Sequence, residues 1–347
     1  MAVNLSTFNF KKLPWVCISA LIVVVAVQFL FAFNPLLQDA LFTFSEPSLS
    51  DPLRLDIFYK KAESSPQKKV FLIGTSQGRE AFNAPVLTER FDRKIGFYNM
   101  GSAAYSAIDF YMEIDRIIDA KPDLLVYMPY IGNFYLDYDF KRLKYYYNPK
   151  VLPFISKDIG THVFLEKKWF IFDAYLSDAL YFYKYREGLK PILFNVLDYM
   201  IFRLGKTVEP KYFRYDTSRG SEYFENQVRA FKGSKFYFSQ YTDIEKQALQ
   251  KVIDSIQKSK IPFIIIDGPV NPKIAGAYEF EVGTAYDEFL AEIADVNHVT
   301  FLSKADMPQF PSDQFIDFTH LNSAGRAKFT DFFAEYLQAN YTQLLQE

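Results

Sequence analysis

The chain has 347 residues, 50% of them hydrophobic and 18% aromatic, and a formal net charge of -2 at pH 7. That length and apolar share suffice to bury one large core or two modest ones, and the near-neutral charge offers no electrostatic footprint for nucleic acid. A single cysteine leaves no disulfide framework to expect.

Lys11 and Lys12 precede an uncharged apolar run from Leu13 through Trp15 and Val23-Val24-Val25 to Phe33. This run is long enough to cross a bilayer as a helix, and Phe31-Ala32-Phe33-Asn34 offers no small-x-small cleavage site. It therefore reads as an uncleaved anchor. The basic pair lies before the span while Asp39 and Glu46 follow it, which places the N-terminus in the cytoplasm and the rest of the chain outside. The expected division is a cytoplasmic tail over 1–12, a transmembrane anchor over 13–33 and a juxtamembrane connector over 34–67. The connector is broken by Pro47, Pro52 and Ser64-Ser65-Pro66, with one short helix around Leu53 to Lys61.

From 68 to 347 the pattern alternates. Val70 to Ile73, Ile95 to Tyr98 and Leu124 to Met128 read as strands, separated by helices from about Pro85 to Phe91 and Ser106 to Ala120. The alternation resumes with a helix over Thr242 to Lys258, a strand over Ile261 to Asp267, a helix over Gly283 to Val296, a strand over His298 to Leu302 and a helix over Ala324 to Leu337. Continuous apolar strands between helical periods imply βαβ units, a parallel sheet and an α/β fold. Between them, about 134–239 is an aromatic-rich insertion of mainly helical character. It contains Tyr145-Tyr146-Tyr147, Tyr181 to Tyr185 and an apolar stripe from Ile192 to Leu204. Its stripe suits either a cap on the core or a face toward the bilayer interface or a membrane partner.

Chemistry concentrates at two places. Lys69 to Glu80, KVFLIGTSQGRE, reads as strand, tight turn and helix, with Ser76 at the carboxyl end of the strand and beside a helix N-terminus. A serine hydroxyl needs a base and something to orient that base. Of His162, His298 and His320, only His320 has a carboxylate at a suitable local spacing, Asp317, and a helix follows to fix the loop. Ser76, His320 and Asp317 are the candidate catalytic residues, whereas His162 and His298 read as structural or surface residues. A Gly-x-Ser-x-Gly turn alone is common, so the weight comes from the pairing with Asp-x-x-His. No second histidine or cysteine cluster accompanies Asp317 and His320, and no phosphate-binding glycine loop is present, so neither a metal nor a cofactor is expected.

Serine after the first strand, with acid and base sharing one loop before the last helix, resembles the SGNH or GDSL-like hydrolase family. It departs from that family in lacking aspartate before the serine. Asn99-Met100-Gly101-Ser102-Ala103-Ala104 is similar to the block that supplies a backbone N–H to the oxyanion hole, which leaves Gly101 and Ala104 both open. Pro122-Asp123 through Gly132-Asn133 resembles the block whose asparagine side chain donates, which points to Asn133.

The resemblance implies a three-layer αβα sandwich with a parallel, flavodoxin-like sheet and acyl-ester chemistry through an acyl-serine. Anchored members of the D-alanyl transfer and alginate acetylation type imply a bacterial inner membrane protein whose C-terminal domain lies in the periplasm or outside the cell. They further imply an acylated glycan or other acyl ester as substrate and a membrane-bound O-acyltransferase as partner. The other expectation kept open is a catalytically inactive scaffold of the same fold that binds such a partner.

Overall fold

The computed structural model describes residues 13–34, 51–102, 105–135, 176, 225–226, 240–274 and 280–342. The tail over 1–12, residues 35–50 of the connector, Ala104, His162 and nearly all of the insertion at 134–239 lie outside the described residues. The chain divides into two compact units, Met1–Leu53 with Phe172–Lys211, and Arg54–Ile171 with Tyr212–Glu347.

In the first unit the described element is helix α1, Leu13–Phe33, 21 residues without a charged side chain. Trp15, Ile22, Val23, Phe29, Leu30 and Phe33 are each more than half exposed along it. Among residues described in full, no helix is long and apolar enough to cross a membrane.

The second unit is built on five parallel strands: β1 Lys68–Gly74, β2 Ile95–Asn99, β3 Leu124–Met128, β4 Phe263–Ile266 and β5 Thr300–Leu302. Their order is β2-β1-β3-β4-β5, with Val70 opposite both Phe97 and Leu124 in register. Successive side chains alternate between two separate cores. Phe71, Ile73, Leu125, Tyr127, Phe263 and Ile265 belong to one, and Val70, Leu72, Leu124, Val126, Ile264 and Ile266 to the other. A sheet buried on both faces needs apolar residues at every strand position, which is why these runs do not alternate with polar residues.

Helices cover the two faces. α2 (Asp51–Ser64), α5 (Ala107–Asp119), α7 (Gln240–Lys258) and α8 (Phe280–Val296) supply Tyr59, Phe110, Leu249 and Leu290 to the first core. The short α3 (Ser76–Ala81), α4 (Ala84–Arg90) and α9 (Ser323–Asn340) supply Ala81, Leu87 and Phe329 to the second. The described residues thus form the αβα sandwich expected of the sequence. Helix starts follow local chemistry: Ser106 and Asp109 form a capping box on α5, and Asn322 caps α9 by accepting the Gly325 N–H.

Boundaries shift slightly from the sequence expectations. β5 is confined to Thr300–Leu302 because His298 takes φ 52° in the turn after α8, and β4 begins only after Pro262. The first β-strand leads to β2 on one side, whereas the chain then returns to β3 on the other. Such a reversal leaves a crevice at the carboxyl ends of β1 and β3, where ligands bind in open α/β sheets.

Candidate active site

Ser76 sits two residues past β1, at that crevice, as the first residue of α3. Thr75 caps the helix, its Oγ1 accepting the Gln77 N–H at 3.2 Å. The turn is possible because Gly74 has φ 153°, and a Cβ there would stand 2.4 Å from the Met128 carbonyl oxygen on the neighbouring strand. Gly74 therefore lets β1 end tightly against β3. The Ser76 N–H, at the open start of the helix, donates to none of the described residues.

The sequence constellation closes in space. His320 Nε2 lies 2.7 Å from Ser76 Oγ across 244 residues of chain, and His320 Nδ1 lies 2.8 and 3.0 Å from the two Asp317 carboxylate oxygens. Asp317 Oδ1 also accepts the backbone N–H groups of Thr319 and His320 at 3.0 and 2.9 Å. Burial pushes the Asp317 carboxyl up, but the His320 ring and these two amides outweigh it and hold the group below the usual carboxylate range. An ionised Asp317 accepts a hydrogen bond from Nδ1–H and so keeps the ring proton on Nδ1, which leaves Nε2 as the acceptor facing the serine hydroxyl. His298 lies in the turn before β5 and takes no part.

The three oxyanion candidates fare differently. The Gly101 N–H donates to Asn99 Oδ1 at 3.1 Å. Gly101 also packs so closely on the serine helix that a Cβ would fall 2.7 Å from the Arg79 nitrogen. The structure thus shows Gly101 closing the β2 turn onto α3. Ala104 lies outside the described residues. Asn133 is 4% exposed in the short helix α6, Ile131–Tyr135, and its Nδ2 donates to the Tyr105 carbonyl at 2.7 Å.

Several residues that the sequence reading did not single out hold the two halves of the site together. Gln77 Nε2 donates to the Pro269 carbonyl at 2.6 Å. Asn271, fully buried, donates through its N–H to the Phe318 carbonyl and through Nδ2 to the Asp317 carbonyl. The loop after β4 is therefore bonded to both the nucleophile's helix and the acid-base loop. On the other side, an antiparallel bridge between Phe315 and Leu321 and the bond from Ile316 N–H to the His320 carbonyl close the Asp317 loop on itself. The signal available in the sequence was the Asp267-Gly268-Pro269 break after an apolar strand, which marks a loop at the same edge as Ser76.

Beside this loop, Lys304 Nζ lies 2.8 Å from Asp267 Oδ2 and 3.0 Å from Asp287 Oδ1. Burial drives Asp267 up to about 7 against the pull of Lys304, with Asp287 adding to the rise. The Tyr130 phenol is also raised, first by burial and then by the Asp317 charge. Among the described residues no three His, Cys, Asp or Glu side chains gather to hold a metal ion.

Comparison with known proteins adds little beyond this geometry. No curated protein matches the sequence. One protein-family profile matches residues 226–342, the segment that carries Asp317 and His320. Among solved structures, a candidate acylhydrolase from Bacteroides fragilis NCTC 9343 is similar at 10% identity. The match covers 84% of this chain and 97% of that one, with a TM-score of 0.40. LAE5, an alpha/beta hydrolase enzyme from the metagenome of Lake Arreo, Spain, is similar at 11% identity over 82% of this chain and 100% of that one, with a TM-score of 0.39. Likenesses this distant leave the chemistry to be read from the side chains.

Proposed function

We propose that this chain performs acyl-ester chemistry through a covalent acyl-serine, as an SGNH-like esterase or O-acyltransferase. The observation that carries the reading is the continuous chain of bonds from Asp317 through His320 to Ser76 Oγ, with 2.8 and 2.7 Å at its two links. Ser76 Oγ attacks the ester carbonyl while His320 Nε2 takes its proton, and Asp317 stabilises the imidazolium. The oxyanion is held by the Ser76 N–H, with the second Nδ2–H of Asn133 and the backbone at Ala104 as the further donors of the resemblance, because the Gly101 N–H is already given to Asn99. On collapse the bond to the alcohol breaks and His320 returns the proton to that alcohol. Water or a second hydroxyl then attacks the acyl-serine and gives its proton to His320, and as the acyl–Oγ bond breaks His320 returns that proton to Ser76 Oγ.

The site is proposed to lie outside the cytoplasm of a bacterium, tethered to the inner membrane. Helix α1 rises about 1.5 Å per residue, so its 21 residues match the roughly 30 Å of a hydrocarbon core, and Lys11 and Lys12 keep the preceding segment inside. A tethered acyl-serine enzyme suits transfer to or from envelope or exported glycans, beside a membrane-bound O-acyltransferase. A scaffold without activity would have no need of a serine hydroxyl 2.7 Å from an oriented imidazole. The test is labelling of the full chain in detergent with a fluorophosphonate. Modification at Ser76, lost in a folded Ser76→Ala variant, is expected, and equal labelling of that variant would reject the assignment.

A further inference from the structure

The loop that carries Asp317 and His320 holds its own shape. Its base is closed by the Phe315–Leu321 bridge and by the bond from the Ile316 N–H to the His320 carbonyl at 2.8 Å, and at its tip Asp317 Oδ1 accepts the Thr319 and His320 amides. These bonds travel with the loop as one body. They set the angle between carboxylate and ring, but not the distance from the ring to a serine on another element.

Asn271 grips the loop from outside. Its N–H donates to the Phe318 carbonyl at 3.0 Å and its Nδ2 to the Asp317 carbonyl at 3.2 Å, so one residue holds two successive carbonyls and fixes both the place and the tilt of the loop. Asn271 is itself fully buried, and its Oδ1 accepts the Lys273 N–H at 3.0 Å, which keeps the amide turned with Nδ2 toward Asp317. The segment leading to Asn271 is pinned twice: the Asp267 N–H donates to the Leu302 carbonyl at 2.9 Å, and Gln77 Nε2, on a side chain 4% exposed, donates to the Pro269 carbonyl at 2.6 Å. Gly268 permits that second approach, since a Cβ there would come within 2.6 Å of the Gln77 carboxamide. Gln77 is the residue after Ser76. A closed circuit of chain and hydrogen bonds thus runs from Ser76 through Gln77, Pro269, Asn271, Asp317 and His320 and back to Ser76 Oγ. Such bonds are stiffened by the low dielectric of a buried site, and acyl transfer tolerates a misplacement of about 1 Å poorly.

We propose that Asn271 is a positioning residue for the reaction, paired with Gln77 at the other end of the segment 268–271, and that this segment holds the His320 ring at attack distance from Ser76. The inference rests on the acyl-serine reading of Ser76 and adds to it the device that assembles its two halves. Asn271→Ser removes the Nδ2 donor to Asp317, while a serine hydroxyl can still accept the Lys273 N–H and the backbone N–H still reaches Phe318. The acid-base loop is then attached at one point and free to tilt. Gln77→Met fills the same space and removes the donor to Pro269.

The experiment is fluorophosphonate labelling of the full chain in detergent, followed to completion, together with aryl acetate hydrolysis. The final stoichiometry of labelled Ser76 counts folded sites, and the rate reads how well His320 is placed. Asn271→Ser is expected to label to the wild-type stoichiometry at a rate lower by about tenfold to a hundredfold, with kcat reduced alike and KM within about twofold. Gln77→Met should behave in the same way, and the double variant should be no more than about twofold slower than the slower single one, because both changes release the same segment. Reduced stoichiometry with an unchanged rate at the remaining sites would show a purely structural role and overturn the proposal. Unchanged rates in both variants, or losses that multiply in the double variant, overturn it as well. Should Asn271→Ser fail to fold, Gln77→Met alone carries the test, and failure of both to fold would place the segment in the service of the fold and not of the site. Absence of labelling in the wild type overturns the acyl-serine reading and this inference with it.

Discussion

Arg326 on α9 donates through Nε to the Glu80 carbonyl at 2.8 Å and through Nη2 to the Glu80 carboxylate at 3.3 Å, with both residues no more than 4% exposed. Glu80 belongs to the helix that Ser76 begins, and Arg326 to the helix that follows His320. One buried ion pair thus ties the elements that carry the nucleophile and its base, and Arg79 shares the same carboxylate at 3.0 Å.

Removing the Arg326 side chain leaves a buried carboxylate whose remaining counter-charge among the described residues is Arg79. Breaking a buried pair in this way is strongly destabilising, and Arg326→Met is expected to cost about 3 kcal/mol in urea unfolding. Arg326→Lys recovers less than half, because an ammonium cannot make both the main-chain and the carboxylate bond at once. A loss below about 0.5 kcal/mol for Arg326→Met would show that the pair holds nothing.

Asp317→Asn keeps an oxygen for the Thr319 and His320 amides but turns an NH₂ toward His320 Nδ1. The ring must then carry its proton on Nε2, facing Ser76, and can no longer act as the base. Aryl acetate hydrolysis is expected to fall by about 10³–10⁴ in kcat with KM little changed. Retention of more than a tenth of the wild-type kcat would mean that Asp317 does not set the tautomer.

Ser76, Asp317 and His320 were legible because each half of the site is a local pattern: a turn after an apolar strand, and Asp-x-x-His before a helix. Strand positions were legible for a similar reason, since Leu72, Val126 and Ile264 sit in short runs that are apolar at every residue. The bonds that join the halves were not. Gln77 to Pro269 spans 192 residues, Asn271 to Asp317 spans 46 and Arg326 to Glu80 spans 246, and no periodicity encodes such pairings. The order of the strands was equally hidden, because β1 to β5 are alike in composition. Gly101 illustrates a further limit: glycine after a strand signals a close approach, yet only the structure shows that the neighbour is the Arg79 backbone.

The two glycines of Gly74-x-Ser76-x-Gly78 have unequal duties. At Gly74 an added Cβ meets the Met128 carbonyl at 2.4 Å in a backbone region that side chains avoid, whereas at Gly78 the nearest atom is the Met128 Cβ at 3.3 Å. Gly74→Ala is therefore expected to destabilise by about 3 kcal/mol or to prevent folding. Gly78→Ala, inside a helix, should lie within about 1 kcal/mol of the wild type. Chemical denaturation of both variants checks the contrast, and similar losses for the two would contradict the close approach of β1 to β3.

The pH dependence of stability is expected to carry the mark of Asp267. Its carboxyl is shifted from an ordinary value of 3.8 to about 7, chiefly by burial. Between those values the folded chain holds a proton that the unfolded chain has released, so the contribution of this group falls as pH rises through the window and is level above it. Asp317 is shifted the other way, and its contribution changes below 3.8, outside the window. Lys304 is raised from 10.5, so its contribution is complete below that value and is lost only at strongly alkaline pH. From pH 4.5 to 7.5 the wild type should therefore lose about 3 kcal/mol relative to Asp267→Asn, which exchanges no proton there. Urea unfolding of both proteins at the two pH values isolates the effect, since every other titrating group is common to the pair. Parallel behaviour of the two would show that Asp267 is ionised throughout, held so by Lys304 despite its burial.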